Sequence, residues 1–175
     1  MTKEEIVIIL ENKHQELFDW LDLQTDESWI QGPEGKWTVG QHILHLVDAS
    51  KLLNKALGYP KFILKYKFGK SNRDTRSYDD VSKRYQEKLS MNQEKAKTFN
   101  QDLKTPSTSE RKQLIAQLQV ENKKLQARTH KWKDRHLDTL LIPHPLMGKM
   151  TVREIIMWSA YHTNHHTDIL KEFYS

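Results

Sequence analysis

Two histidines four residues apart constrain this chain more than any other feature. His162 and His166 lie in Tyr161-His162-Thr163-Asn164-His165-His166-Thr167-Asp168, a stretch that holds three of the nine histidines. On an α-helix they stand one above the other on a single face. Helical steps back from His166 reach Ser159 and Ile155, and steps forward reach Ile169 and Leu170, so that face is the apolar one. A buried imidazole without a partner costs roughly 1–3 kcal/mol. Another part of the chain must therefore bring partners to this pair. A metal ion shared with a third ligand is one arrangement that satisfies both rings.

The chain of 175 residues fits a single domain, residues 1–175, with room for a real core. Its charged fraction of 29% suits a soluble helical protein with polar outer faces. Cysteine is absent. That excludes a disulfide framework, a thiolate metal site and a cysteine nucleophile, and it fits a reducing compartment. Met1-Thr2-Lys3-Glu4-Glu5 lacks a signal-peptide pattern. The apolar run from Ile6 to Leu10 is too short to span a bilayer. A cytoplasmic protein with no membrane role is expected. The net charge of +5 is spread along the chain and interleaved with acidic residues. The densest basic region, Lys61 to Arg76, carries Phe62, Tyr66 and Phe68 and has the composition of a nucleic-acid strip. A solvated loop with its aromatics tucked inward is the expected reading, with no nucleic-acid partner. Positive charge near a pocket would equally favour an anionic small substrate.

Periodicity predicts a first helix over 3–23, with Thr2 and Glu5 as its capping box. Gln31-Gly32-Pro33-Glu34-Gly35 breaks the pattern within 24–37. Thr38 and Gln41 open a second helix whose buried side is Val39, Ile43, Leu46, Val47, Leu53 and Leu57; Gly58-Tyr59-Pro60 ends it. Residues 61–76 read as a long, irregular connection. A third helix is expected from about Tyr78 to Leu103, on Val81, Tyr85, Leu89, Ala96, Phe99 and Leu103. A fourth runs from about Ser107 to Leu137, with Leu114, Ile115, Leu118, Leu125 and Trp132 inward. Residues 138–150 form an apolar, proline-bounded loop. Thr151 and Glu154 make another capping box for a last helix reaching about Phe173. The expected fold is all-α, an antiparallel bundle of four or five helices.

Histidines four apart on a helix suit one metal ion. Thr163 stands where a zincin would carry Glu, so a protease of that type is excluded. A di-iron bundle needs two Glu-x-x-His motifs, and only Glu11 to His14 has the spacing. The second helix offers His42, near the middle of its apolar stripe, and His45, near the edge. Helical phase does not choose between them.

Trp37-Thr38-Val39-Gly40-Gln41-His42-Ile43-Leu44-His45-Leu46-Val47-Asp48 resembles the signature of the DinB-like (YfiT-like) metalloenzyme superfamily, a Trp-Ser/Thr helix start with His-Leu-x-Asp eight residues after the Trp. His162-Thr163-Asn164-His165-His166 resembles its C-terminal His-x-x-x-His helix. The resemblance implies a four-helix bundle with a long connection after the second helix. It implies a tri-histidine site of His45, His162 and His166 for a divalent ion, zinc or nickel. It also implies a low-molecular-weight thiol, a small-molecule substrate and a homodimer. The activity that follows is a thiol-dependent S-transferase or a metal-assisted hydrolase. The alternative is a non-catalytic helical protein that binds a ligand or partner through a vestigial site. This chain departs from the family pattern in the extra His165, in Gly40 within the first helical turn and in Asp168. Asp48 is placed to orient His45 but equally suits a solvated position. His14 is expected in the core, His144 in a loop, His130 and His136 on the surface and His165 facing away from the metal.

Overall fold

In the computed structural model, which describes residues 1–94 and 102–174, the chain is mostly helical with one small sheet. The elements are α1 (Lys3–Leu21), α2 (Asp26–Ile30), α3 (Val39–Gly58), α4 (Lys61–Phe68) and α5 (Tyr78–Met91). A 3-10 turn (Thr108–Glu110) leads into α6 (Arg111–Lys131), followed by α7 (Asp134–Thr139), β1 (Leu141–His144), β2 (Gly148–Thr151) and α8 (Val152–Phe173). No helix among the described residues is long and apolar enough to cross a membrane.

Capping boxes start α1, α3 and α8 at Thr2, Thr38 and Thr151. Each satisfies amide groups that the first helical turn leaves unpaired. The long helices pack α1 on α6 and α8, and α3 on α6 and α8, while α5 lies against α8. Side-chain pairs give the directions. Glu11 meets Lys123 and Lys3 meets the Trp132 carbonyl, so α1 and α6 are antiparallel. Arg153 reaches the Met1 carbonyl and Lys171 reaches Glu16, so α1 and α8 run the same way. α8 touches α1, α3, α5, α7 and both strands, which is why every residue from Thr151 to Ala160 is buried.

Several segments differ from the sequence expectation. Residues 61–68 are helical rather than irregular; only Leu64 is fully buried, and about two turns are too short for periodicity to register. Residues 141–151 form an antiparallel hairpin rather than an irregular loop, with Ile142 opposite Met150 and His144 opposite Gly148. Gly148 closes its turn at φ +73°, where only glycine sits without strain. The long fourth helix divides at Trp132, whose extended backbone separates α6 from α7. α5 ends at Met91, and the expected continuation through Ala96 and Phe99 lies outside the described residues.

Two buried groups fix the surroundings of α8 and α3. Glu154, with its side chain fully buried, accepts from both guanidinium nitrogens of Arg73 at 2.6 and 2.8 Å and from the Arg76 amide at 2.8 Å. It also closes its own capping box on Thr151. Burial would raise its pKa, but these donors outweigh it and hold the carboxyl below the usual range. The connection after α4 is thereby pinned to the start of α8. At the start of α3, Gly40 lies under α2. A Cβ there would stand 2.8 Å from the Trp29 carbonyl oxygen and 3.0 Å from its ring. The glycine that looked like a weak helix residue is what lets Trp29 pack fully buried against α3.

Gly40→Ala should therefore destabilise the protein by about 1–3 kcal/mol, because overpacking exceeds the gain in helix propensity. A lower urea midpoint would register it; an unchanged or higher midpoint would contradict the close approach.

Candidate metal centre

The site forms where α3 meets α8. His42 Nδ1 lies 2.8 Å from His166 Nδ1, and His45 Nε2 lies 3.1 Å from His162 Nε2. The lower number on α3 pairs with the higher number on α8, so the two helices are antiparallel here. The i, i+3 spacing on one helix is met by the i, i+4 spacing on the other, within one turn of each. His166 Nε2 is also 3.1 Å from His162 Nε2.

His45, His162 and His166 can each present one ring nitrogen so that all lie within 4.8 Å of one another, a group that could hold a metal ion. Three nitrogens about 2.1 Å from a tetrahedral ion stand about 3.4 Å apart, close to the observed 3.1 Å contacts. Burial pushes the pKa values of His162 and His166 well below the ordinary value, with the neighbouring imidazoles adding to the effect. The rings are therefore neutral at pH 7. A neutral imidazole has one N–H and one lone pair. If His166 donates from Nδ1 to His42, its Nε2 presents a bare lone pair to His162. His162 Nε2 can satisfy only one of its two neighbours with a single proton. This donor set fits a cation.

His42 thus differs from His45 in role. Its ring is buried, and burial, followed by the charges of His45 and His165, lowers its pKa to about 3. It can hold the proton of His166 on the nitrogen facing away from the group. Helical phase left His42 and His45 open; the pairing across to α8 separates them. Trp37 stacks on His166 at 6.0 Å with 4° between planes and also contacts His42 and His45. The Tyr174 hydroxyl holds the Trp37 carbonyl. On the opposite side Trp158 stacks on His162 at 4.6 Å. The sequence reading missed Trp158, although its position four residues before His162 puts it on the same helix face.

The other histidines are not part of this group, although the His165 ring lies 5.4 Å from that of His166. His14 is in the core, its Nδ1 2.8 Å from the Leu10 carbonyl and its Nε2 3.4 Å from the Thr163 hydroxyl. His165 lies against Tyr85 and Tyr161, and Asp48 is exposed. His144 is buried rather than on an open loop.

A family model described as the DinB superfamily matches residues 9–170, a span that contains all four site histidines. No curated protein and no solved structure matches the chain.

Burial lowers the His14 pKa to about 4, against an ordinary value of 6.5. A depressed folded-state pKa gives stability that is full above pH 6.5 and is lost as pH falls from there through pH 4, on the order of 3 kcal/mol. In chelator-treated protein, the urea midpoint should drop across this window, and His14→Gln should flatten the drop. A variant with the wild-type slope would contradict this role.

Proposed function

The chain belongs to the DinB superfamily, and on that premise we propose that it is a metal-dependent enzyme acting on a small molecule, with His45, His162 and His166 as ligands of one divalent ion. The observation that carries this reading is the convergence of three imidazoles, with the His162 Nε2 facing ring nitrogens of both His45 and His166. Three nitrogen ligands and no cysteine suit zinc or nickel with a coordination position left over, the layout of catalytic rather than structural sites. Such an ion supplies Lewis acidity, bringing the pKa of a thiol or water toward neutrality.

The chain's own residues do the rest. His42 orients His166 as an uncharged second partner, where a carboxylate or carbonyl commonly serves. Trp37 and Trp158 keep water from the two buried ligands on α8. His45, the half-buried member, is on the side open to a substrate. The reaction proposed is transfer of a group to a low-molecular-weight thiol, or hydrolysis. The reading includes the four-helix bundle of the family, a homodimer and a cytoplasmic location, and no nucleic-acid or membrane partner. The tight aromatic cover favours one second reading, a ligand- or partner-binding protein in which the site is vestigial.

Protein prepared without a tag and stripped with chelator should take up one zinc or nickel ion per chain in a competition titration. His45→Ala should abolish tight uptake. His42→Phe should weaken it about 10–100-fold while keeping the stoichiometry. Equal uptake by wild type and His45→Ala would remove the ligand assignment, and no uptake by wild type would favour the vestigial site.

A further inference from the structure

Charge is interleaved over most of this chain, but not in two stretches. From His14 to Gly35 there are six acidic residues and no lysine or arginine; from Ala49 to Arg73 there are seven cations and no acid. The first stretch completes α1 and forms α2, and the second completes α3 and forms α4. The length of α6 separates them. Arg111 at its start bonds to Asp26 and to the Leu21 and Gln24 carbonyls, while Lys61 stands over the ring of Trp132 just past its end. A helix of 21 residues spans about 30 Å, so patches of opposite charge occupy opposite ends of the molecule.

Each patch also exposes large apolar side chains. On α4, Leu64 is fully buried and Phe68 packs against the core, whereas Phe62 and Tyr66, one turn apart, are 72% and 91% exposed. The expectation of inward-tucked aromatics therefore fails for this pair. Helical phase puts Lys65 on one flank of the pair and Lys67 on the other, both exposed. At the acidic end Leu23, beside Asp22, is 82% exposed, and Ile30, one turn after Glu27, is 41% exposed. Lys65, Lys67, Asp22 and Glu27 form no ion pair among the described residues. Apolar anchors bordered by charge have the anatomy of a protein–protein contact.

We propose that the α1–α2 corner of a second copy of this chain docks on α4, with Leu23 and Ile30 against Phe62 and Tyr66 and with Asp22 and Glu27 facing Lys65 and Lys67. The complement that α4 calls for, exposed aliphatic side chains beside unpaired carboxylates, is present on the chain itself. A second copy turned end for end brings each patch to its complement, so a two-fold pair makes the contact twice and closes. Both patches flank α3, with α2 packed on it before its start and α4 following its end. Like ends repel, which sets the antiparallel arrangement. The homodimer belongs to the proposed reading; this interface names its residues and does not need the metal.

Sedimentation of the untagged full chain should show a dimer whose dissociation constant rises about tenfold from about 0.05 to about 0.5 M salt. Lys65→Glu/Lys67→Glu should weaken association about tenfold or more, and so should Asp22→Lys/Glu27→Lys. An equimolar mixture of the two variants should recover the wild-type association, because each reversed patch then meets its complement. All four positions are exposed, so helix content by circular dichroism should not change. A dimer indifferent to both reversals, or a mixture that fails to recover association, would overturn this interface and leave the homodimer standing. A chain that stays monomeric would overturn both, and salt-sensitive retention of that monomer on heparin would give the α4 face to a polyanion instead.

Discussion

Where α3 meets α8, four imidazoles are packed into space that water does not reach freely. Burial keeps His42, His162 and His166 neutral at pH 7, and the His162 Nε2, which carries either one proton or one lone pair, faces ring nitrogens of both His45 and His166. That convergence of ring nitrogens is the constraint on which the functional account depends. It arises from helix geometry: a spacing of three residues on one helix faces a spacing of four on an antiparallel partner. His42 and His166 share one proton at one level, while His45 and His162 face each other one turn away.

The rest of the fold keeps those two helices in register. Gly40 allows α2 to seat Trp29 against the first turn of α3, a little ahead of His42. Tyr174, just past the end of α8, holds the Trp37 carbonyl just before α3. Glu154 ties the start of α8 to Arg73 and Arg76 in the connection after α4. On α8 the histidines fall between two apolar clusters, one reaching Ala160 and Tyr161 and the other containing Leu170. Apolar packing on either side is what holds a polar group at this depth.

Much of this was legible in the sequence because helices announce themselves through period and caps. The boxes at Thr2, Thr38 and Thr151 stand where they were expected, and Val39, Ile43, Leu46, Val47, Leu53 and Leu57 are all buried. The three histidines that meet at the α3–α8 contact were also legible, through the two motifs that resemble the family. Their partners were not. His42 could be separated from His45 only by the pairing across to α8, which no single helix encodes. Tyr85, read as one more residue of a thin apolar stripe, lies against His162 because α5 packs on α8 rather than closing the core elsewhere. The hairpin carrying His144 escaped notice because four-residue strands broken by Pro143 give too little alternation to recognise.

X-ray absorption at the zinc edge tests the central claim most directly, since it reads the ligands of the ion rather than its uptake. Protein loaded with one equivalent of zinc should give a first shell containing three imidazole nitrogens at about 2.0–2.1 Å, with the outer-ring scattering that histidine produces. The imidazole count should fall to two in His45→Ala. A first shell made only of oxygens, or an imidazole count of three that survives in His45→Ala, would contradict it.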